Sequence, residues 1–189
     1  MASDRFVKLY VTGYDYSHFQ CISDNMRHCG YSITFPGTSD IYCCRDDGIR
    51  FVLGADEFKR HYNVFPKIVF QWWRNECNDI VCSIRRLVDA TGIYFSTDGV
   101  DKEHEDKFIQ CAIGISMQMA KKQMFLGLVV DRTGDWSEVD WDIFFLEKRI
   151  LVGHLPAILG VKYDHSKILS KQFPSASRQE CSGFVIIRQ

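Results

Sequence analysis

The stretch FVKLYVTGYDYSHFQCISDNMRHCGYSITF, residues 6–35, decides the fold class of this chain. Its first part is an apolar run that predicts a strand from Phe6 to Thr12. A capping box at Ser17 then begins a helix whose apolar residues recur at spacings of three and four, and Gly30 ends it. Tyr31 to Phe35 is predicted as the next strand. The opening unit is therefore β-α-β.

Hydrophobic periodicity predicts alternating strands and helices from there to residue 96. Asp47-Gly48 favours the tight turn of a hairpin, because both residues tolerate positive φ. Apolar residues between Ile80 and Val88 recur at helical spacing, which predicts a second β-α-β unit. The predicted elements are a hairpin over Ile41–Leu53, a helix over Asp56–Tyr62, a strand over Lys67–Trp73, a helix between Asn75 and Gly92, and a strand over Ile93–Ser96.

A long helix and four shorter elements are predicted for the rest of the chain. The helix has an acid-rich entrance over Asp98–Asp106, which the helix dipole favours, and an apolar body. The other elements are a strand over Phe125–Val130 with a return strand over Ile143–Leu146, a short helix over Tyr163–Phe173, and a final strand over Phe184–Ile187. The pattern predicts a single α+β domain over residues 1–189, with a mixed or antiparallel sheet and helices packed mainly on one face.

Composition limits the location and the redox state of the protein. A hydrophobic fraction of 46% supports a packed core, and no apolar run of about 18 residues supports a membrane span. The first residues lack the apolar run of a secretion signal, so we expect a cytoplasmic protein. Cytoplasmic cysteines persist as thiols, and most of the eight cysteines occupy apolar positions, so we expect structural thiols rather than disulfides.

Charge is distributed unevenly along the chain. Residues 97–147 contain 11 acidic and 5 basic residues, whereas the other 138 residues contain 13 acidic and 18 basic ones. The densest part, residues 131–142, interleaves carboxylates with two tryptophans, a combination that favours a surface for a basic partner. The predicted partner-binding residues are Asp131, Asp135, Trp136, Glu138, Asp140 and Asp142, with Asp98, Asp101 and Glu103 as a second acidic edge. The alternative is a solvated acidic loop that blunts a sheet edge, with core tryptophans.

No catalytic, metal or cofactor signature accompanies these carboxylates. The cysteines and histidines lack paired zinc-ligand spacing, and the acidic run lacks the spacing of a calcium-binding loop. His18 and Cys21 lie three residues apart in a helix, where an apolar helix face explains the cysteine better than a catalytic pair does. Phosphate-binding glycine motifs are missing, and a pI near 6.6 argues against nucleic-acid binding. We therefore predict no catalytic residues, no metal and no cofactor.

The segment from Leu128 to Phe145 resembles, in style, bacterial immunity proteins of polymorphic and contact-dependent toxin systems. Those proteins are small, cytoplasmic and α+β, with an acid-rich face and no catalytic motif. The resemblance transfers no individual residue. It implies a protein that binds one toxin domain and covers its active site. Many such toxins are basic nucleases, for which an acidic face replaces the nucleic-acid backbone.

The sequence thus predicts a protein-binding inhibitor of a cognate toxin domain. The alternative is a small cytoplasmic enzyme that acts on a nucleotide-like or acyl substrate. An enzyme requires a cavity of several hundred Å³ with titratable groups of shifted pKa, whereas an inhibitor requires a flat or convex acidic surface. A regulatory subunit would instead have a large apolar patch.

Overall fold

The computed structural model describes residues 5–45, 47–135, 139–147 and 155–189. These residues form ten strands and five helices of one α+β domain, as the sequence predicts. In chain order the elements are β1 Phe6–Thr12, α1 Tyr16–His28, β2 Ile41–Cys44, β3 Arg50–Leu53, α2 Ala55–Val64, β4 Lys67–Asn75, β5 Asn78–Arg86, β6 Ala90–Ser96, α3 Lys102–Lys121, β7 Phe125–Asp131, α4 Trp141–Leu146, β8 Ile158–Val161, α5 Tyr163–Gln172, β9 Ser177–Cys181 and β10 Phe184–Arg188.

All ten strands belong to one antiparallel sheet, in the order β3-β2-β4-β5-β6-β1-β7-β8-β10-β9. The central strand β1 is buried on both faces, which explains its nearly continuous apolar sequence. Val7, Leu9 and Val11 face a first core, whereas Phe6 and Tyr10 face a second one. The alternation follows from the two-residue period of a strand. We call the two sides of the sheet the first face and the second face.

The first face carries α1, α2 and α3, which include the longest helix. Phe19 and Ile22 of α1, Phe58 of α2, and Phe108 and Ile115 of α3 are all buried in the first core. Aromatic rings dominate the contact between α1, α2 and β4, with the Phe19 and Phe58 ring centroids 5.1 Å apart. The helices therefore pack mainly on one face, as predicted.

The helices among the described residues cover only part of the second face. Trp141 and Phe145 of α4 and Leu169 of α5 pack over β1, β7, β8 and β10. Strands β4, β5 and β6 have no helix above them on this side among the described residues, and Val81 of β5 is 40% exposed there. These strands and α4 beside them line a groove in the described part of the chain.

The predicted helix between Asn75 and Gly92 is wrong, because this segment forms β5 and part of β6. Ile80, Cys82 and Ile84 are buried at a spacing of two, with more exposed residues between them. The side chain of Asn75 accepts a hydrogen bond from the backbone N–H of Cys77 at 2.9 Å, so it stabilises a turn rather than a helix start. Pairing with β4 on one side and β6 on the other fixes the strand.

Three smaller predictions also differ from the structure. Residues 143–146 belong to helix α4 instead of a return strand, because Asp140 caps the helix by accepting hydrogen bonds from the N–H groups of Asp142 and Ile143. Tyr31 to Phe35 forms no strand and contributes a single bridge, between Ser32 and Trp73. Strands β8 and β9 have no counterpart in the sequence prediction.

The expectation that all cysteines remain thiols is wrong for one pair. Cys29 at the end of α1 and Cys111 within α3 form a disulfide, with their Cα atoms 6.0 Å apart. Cys43 and Cys82 are buried free thiols, as expected, and burial raises the pKa of Cys43 to about 12. No helix among the described residues has the length and apolar character needed to cross a bilayer.

Candidate functional site

The two acidic segments of the sequence lie side by side at one end of the sheet. Asp131 at the end of β7 pairs with Phe6 of β1, and Phe6 pairs with Ser96 at the end of β6. This row of three residues places the loop after β7 next to the segment that leads into α3. An ion pair between Arg132 and Asp106 joins the two directly. We call this region the acidic end and define it by Asp98, Asp101, Glu103, Asp106 and Asp135.

The first turn of α3 holds two of these carboxylates in fixed, exposed positions. Asp101 is the N-cap residue and accepts a hydrogen bond from the backbone N–H of His104 at 3.0 Å, which is the main reason that its pKa is lowered. A hydrogen bond from Lys107, 2.5 Å away, lowers the pKa of Glu103. The two acidic side chains are 60% and 75% exposed, so both remain ionised and accessible.

Arg5 lies at the inner border of the acidic end and neutralises part of it. Its guanidinium is 3.5 Å from the buried Glu105 and 4.0 Å from Asp98, and it donates a hydrogen bond to the carbonyl oxygen of Val100. The hydroxyl of Thr97 donates a hydrogen bond to the same carboxylate of Glu105. The buried carboxylate thus anchors the segment, whereas the side chain of Asp98 stays 40% exposed.

Asp131 shapes the acidic end without being part of its surface. The residue is 1% exposed, and its Oδ1 accepts hydrogen bonds from the backbone N–H groups of Thr133 and Gly134 and from the Thr133 hydroxyl. This is an Asx-type turn, a local arrangement that aspartate favours. The turn directs Asp135 into solvent. Trp136 and Glu138 lie outside the described residues.

The remaining two predicted residues, Asp140 and Asp142, do not lie at the acidic end. Asp140 is exposed at the start of α4, and Trp141 beside it is 1% exposed in the second core. Asp142 faces the groove on the second face, where Tyr10 donates a 2.5 Å hydrogen bond to it. Arg85 forms an ion pair with the same carboxylate, and the ammonium of Lys8 is 3.9 Å away.

A polar cavity of about 220 Å³ borders the acidic end. Asp98, Asp101 and His104 line one side, and Arg74 and Tyr31 line the other. Burial raises the pKa of Tyr31, so its hydroxyl stays protonated at neutral pH. The cavity combines hydrogen-bond donors with carboxylates, as a polar recognition surface requires.

A second concave region lies on the part of the second face that no helix of the described residues covers. We call it the second-face groove and define it by Lys8, Lys67, Ser83, Arg85, Gly92 and Tyr94; its volume is about 450 Å³. Burial, followed by repulsion from Arg85, lowers the pKa of Lys8. The sequence analysis missed this groove because the residues of β5 were assigned to a helix. The alternation of Val81, Ser83 and Arg85 with buried neighbours is the signal that could have found it.

The pair His18 and Cys21, considered above as a catalytic dyad, is not in contact through a hydrogen bond in the described part of the chain. The Cys21 sulfur instead lies 3.3 Å from the ammonium of Lys122 and 3.9 Å from the amide nitrogen of Asn25. Burial lowers the pKa of His18. Within the described ranges, no three His, Cys, Asp or Glu residues are grouped as metal ligands.

Comparison with known proteins adds no relative. No protein-family model, no curated protein and no solved structure matches the chain.

Proposed function

We propose that this protein is a stoichiometric inhibitor that binds a basic protein domain through its acidic end. The observation that carries the proposal is the strand row Asp131–Phe6–Ser96. It brings two acidic segments, about thirty residues apart in the sequence, to one edge of the molecule. Carboxylates gathered in this way accelerate and orient the approach of a positively charged partner.

The local structure supports recognition by a preformed surface. Asp101 is fixed as a helix cap, Glu103 occupies the first turn of a twenty-residue helix, and Asp135 follows a turn that Asp131 stabilises. Side chains on rigid elements lose little conformational entropy on binding, which favours tight association. The positive end of the helix dipole also stabilises carboxylates at a helix start.

A toxin domain of the nuclease type is the target class that this surface fits best. Such a domain binds a polyanion, so its functional surface is positively charged. An acidic end that occupies that surface would exclude the nucleic acid by competition, without any catalytic group of its own. The inhibitor would therefore act in a one-to-one complex.

The test begins with affinity capture of the full chain from cells of its natural source, followed by titration with the purified partner. The variant Asp101→Asn/Glu103→Gln/Asp135→Asn removes three charges of the acidic end while keeping side-chain size and a cap-forming residue. The matched control Asp24→Asn/Asp56→Asn/Asp164→Asn removes three exposed carboxylates elsewhere. We expect the first variant to associate about tenfold or more slowly at low salt.

The control variant should associate at the wild-type rate. Wild-type association should also slow steeply as salt is added, because exposed charges are screened beyond about 10 Å. An acidic partner, or an unchanged affinity in the first variant, would contradict the proposal.

A further inference from the structure

A cavity of about 410 Å³ lies at the β3 end of the sheet, where the hairpin of β2 and β3 separates from β4. Within the described residues, β2 and β4 pair only at Cys43–Phe70 and Cys44–Val69. Strand β4 begins earlier, at residue 67, so its first residues and the hairpin diverge and leave a space beside the end of α2. We call this space the hairpin cavity and define it by Cys44, Arg45, Phe51, His61, Phe65 and Ile68.

Three aromatic rings line the hairpin cavity. The ring of His61 in α2 stacks on Phe65, with the centroids 4.7 Å apart, and its centroid is 5.9 Å from that of Phe51 in β3. Phe65 directly follows α2 and is 45% exposed. An exposed ring at a concave site gains contact area when a planar apolar group packs on it. The rings and the volume therefore favour a small ligand with an aromatic body.

Arg45 adds a positive charge to this aromatic lining. Its side chain is exposed, and its guanidinium lies over the ring of Phe51, 5.7 Å from the centroid. Stacking on a ring orients the guanidinium plane and leaves the N–H groups at its edge available as donors. Among the described residues, Arg45 has no ion-pair partner, and no Asp or Glu lines the cavity.

The charge and the rings together select one class of ligand. A guanidinium that is oriented by a ring presents two parallel N–H donors, which a carboxylate can accept at the same time. The rings of Phe51 and Phe65 lie on the same lining, so a ligand whose carboxylate reaches Arg45 places its apolar part beside them. The chemistry that complements this cavity is therefore an aromatic group that carries one carboxylate.

We propose that the hairpin cavity binds a small aromatic carboxylate, which accepts hydrogen bonds from Arg45 and packs its ring against Phe51 and Phe65. The cavity lies on α2 and on strands at the β3 end of the sheet, and it shares no residue with the acidic end. This binding is a second property of the protein, beyond the inhibition of a basic partner. It needs no protein partner and can be measured on the isolated chain.

The experiment is an NMR titration of the full chain with cinnamate, with cinnamyl alcohol and acetate as separate arms. Cinnamyl alcohol keeps the aromatic body without the charge, and acetate keeps the charge without the ring. Arg45→Gln removes the proposed anion-binding group from an exposed position, and Phe65→Ala removes the exposed ring. The matched control Arg60→Gln removes an exposed arginine of α2 that does not line the cavity. Unchanged spectra away from the cavity show that each variant is folded.

We expect saturable binding of cinnamate, with the largest shifts at the backbone amides of Cys44, Phe51 and Phe65. Arg45→Gln should weaken the affinity for cinnamate about tenfold or more, since hydrogen bonds between charged groups contribute at this level. The same variant should bind cinnamyl alcohol as the wild type does. Phe65→Ala should weaken both ligands about fivefold, because the aromatic contact is lost, and Arg60→Gln should bind both normally.

Four results overturn the proposal. The first three are no saturable binding of cinnamate, wild-type affinity for cinnamate in Arg45→Gln, and equal affinity of the wild type for cinnamate and for acetate or cinnamyl alcohol. The fourth is a second copy of the chain as the occupant. It would appear in analytical ultracentrifugation as a concentration-dependent dimer that Phe65→Ala abolishes.

Discussion

The substitution Gly127→Ala tests how α4 is held on the sheet. Gly127 lies in β7 directly beneath the ring of Phe145, and a Cβ atom at this position would overlap three carbons of that ring. Phe145 is 4% exposed and packs against Tyr10 and Phe144, with both ring centroids 4.8 Å away. The ring therefore has no free space to move into, and either Phe145 or the whole of α4 must shift.

The loss of stability in Gly127→Ala depends on how much core packing is disrupted when Phe145 or α4 is displaced. Overpacking of a well-packed core costs about 1–3 kcal/mol, and complete loss of a buried phenylalanine costs about 3–5 kcal/mol. We expect Gly127→Ala to lower the free energy of unfolding by about 3 kcal/mol, between these limits. For a chain of this length, this corresponds to a decrease in Tm of about 6–12 °C. Urea unfolding, followed by circular dichroism, measures it.

A double-mutant cycle with Phe145→Ala identifies the clash as the cause. Phe145→Ala leaves a cavity that the added methyl group at position 127 can enter, so Gly127→Ala should cost almost nothing in that background. The coupling free energy should be about 2 kcal/mol or more. The control Gly114→Ala should stabilise the protein by about 0.5–1 kcal/mol, because this α3 glycine has no atom near its Cβ position. Additive effects of the two substitutions would refute the reasoning.

Three further predictions concern the disulfide, a helix cap and the free thiols. Reduction of the Cys29–Cys111 disulfide, which closes a loop of 82 residues, should lower the unfolding free energy by up to about 4.5 kcal/mol, read as a shift in the urea midpoint against the oxidised protein. The pKa of Asp101 is lower in the folded protein than in the unfolded chain, so the ionised carboxylate stabilises the fold. The wild type should therefore have a higher free energy of unfolding than Asp101→Asn at neutral pH, and this difference should decline as the pH falls below about 4. A difference that persists in acid contradicts this prediction. Cys77 is exposed and should react with a maleimide in the folded protein. Cys82 is fully buried, and burial raises its pKa, so it should react only after unfolding. Mass spectrometry of labelled peptides measures both reactions.

The sequence predicted most elements whose local signals agreed with their surroundings. Strand β1, helix α1 and the hairpin of β2 and β3 each combine a clear period with a turn residue, and all were found within a few residues. The predicted capping box at Ser17 is wrong, because Asp15 caps α1 and accepts a hydrogen bond from the backbone N–H of Ser17. Strand β5 was missed because its apolar residues satisfy two periods at once. Ile80 and Ile84 fit both one face of a helix and alternate positions of a strand. Only the neighbouring strands β4 and β6 decide between the two, and this contact is tertiary.

The sequence predicted which segments supply the carboxylates of the acidic end, but it did not predict how those carboxylates are placed and exposed. Local counting of charges identified both acidic segments, and the strand order then placed them together. The exposure of each carboxylate depends on its hydrogen bonds: Asp131 is buried by its turn, whereas Asp101 caps a helix and stays exposed. Sequence spacing does not encode these differences, because they follow from turn conformations that the tertiary structure selects.

Asp142 lies in the acidic run of the sequence and outside the acidic end of the structure. Sequence places this residue in the acidic run, yet α4 turns it over the second face, where it neutralises part of the charge of Lys8 and Arg85. The acidic end depends on α3 and on the turn after β7, whereas the groove depends on α4, which Phe145 holds above Gly127. Because different helices position the two surfaces, a change that moves α4 should alter the groove and leave Asp101 and Glu103 in place. The acidic end and the groove are therefore held in place by different elements of the fold, and a substitution in one should leave the geometry of the other unchanged.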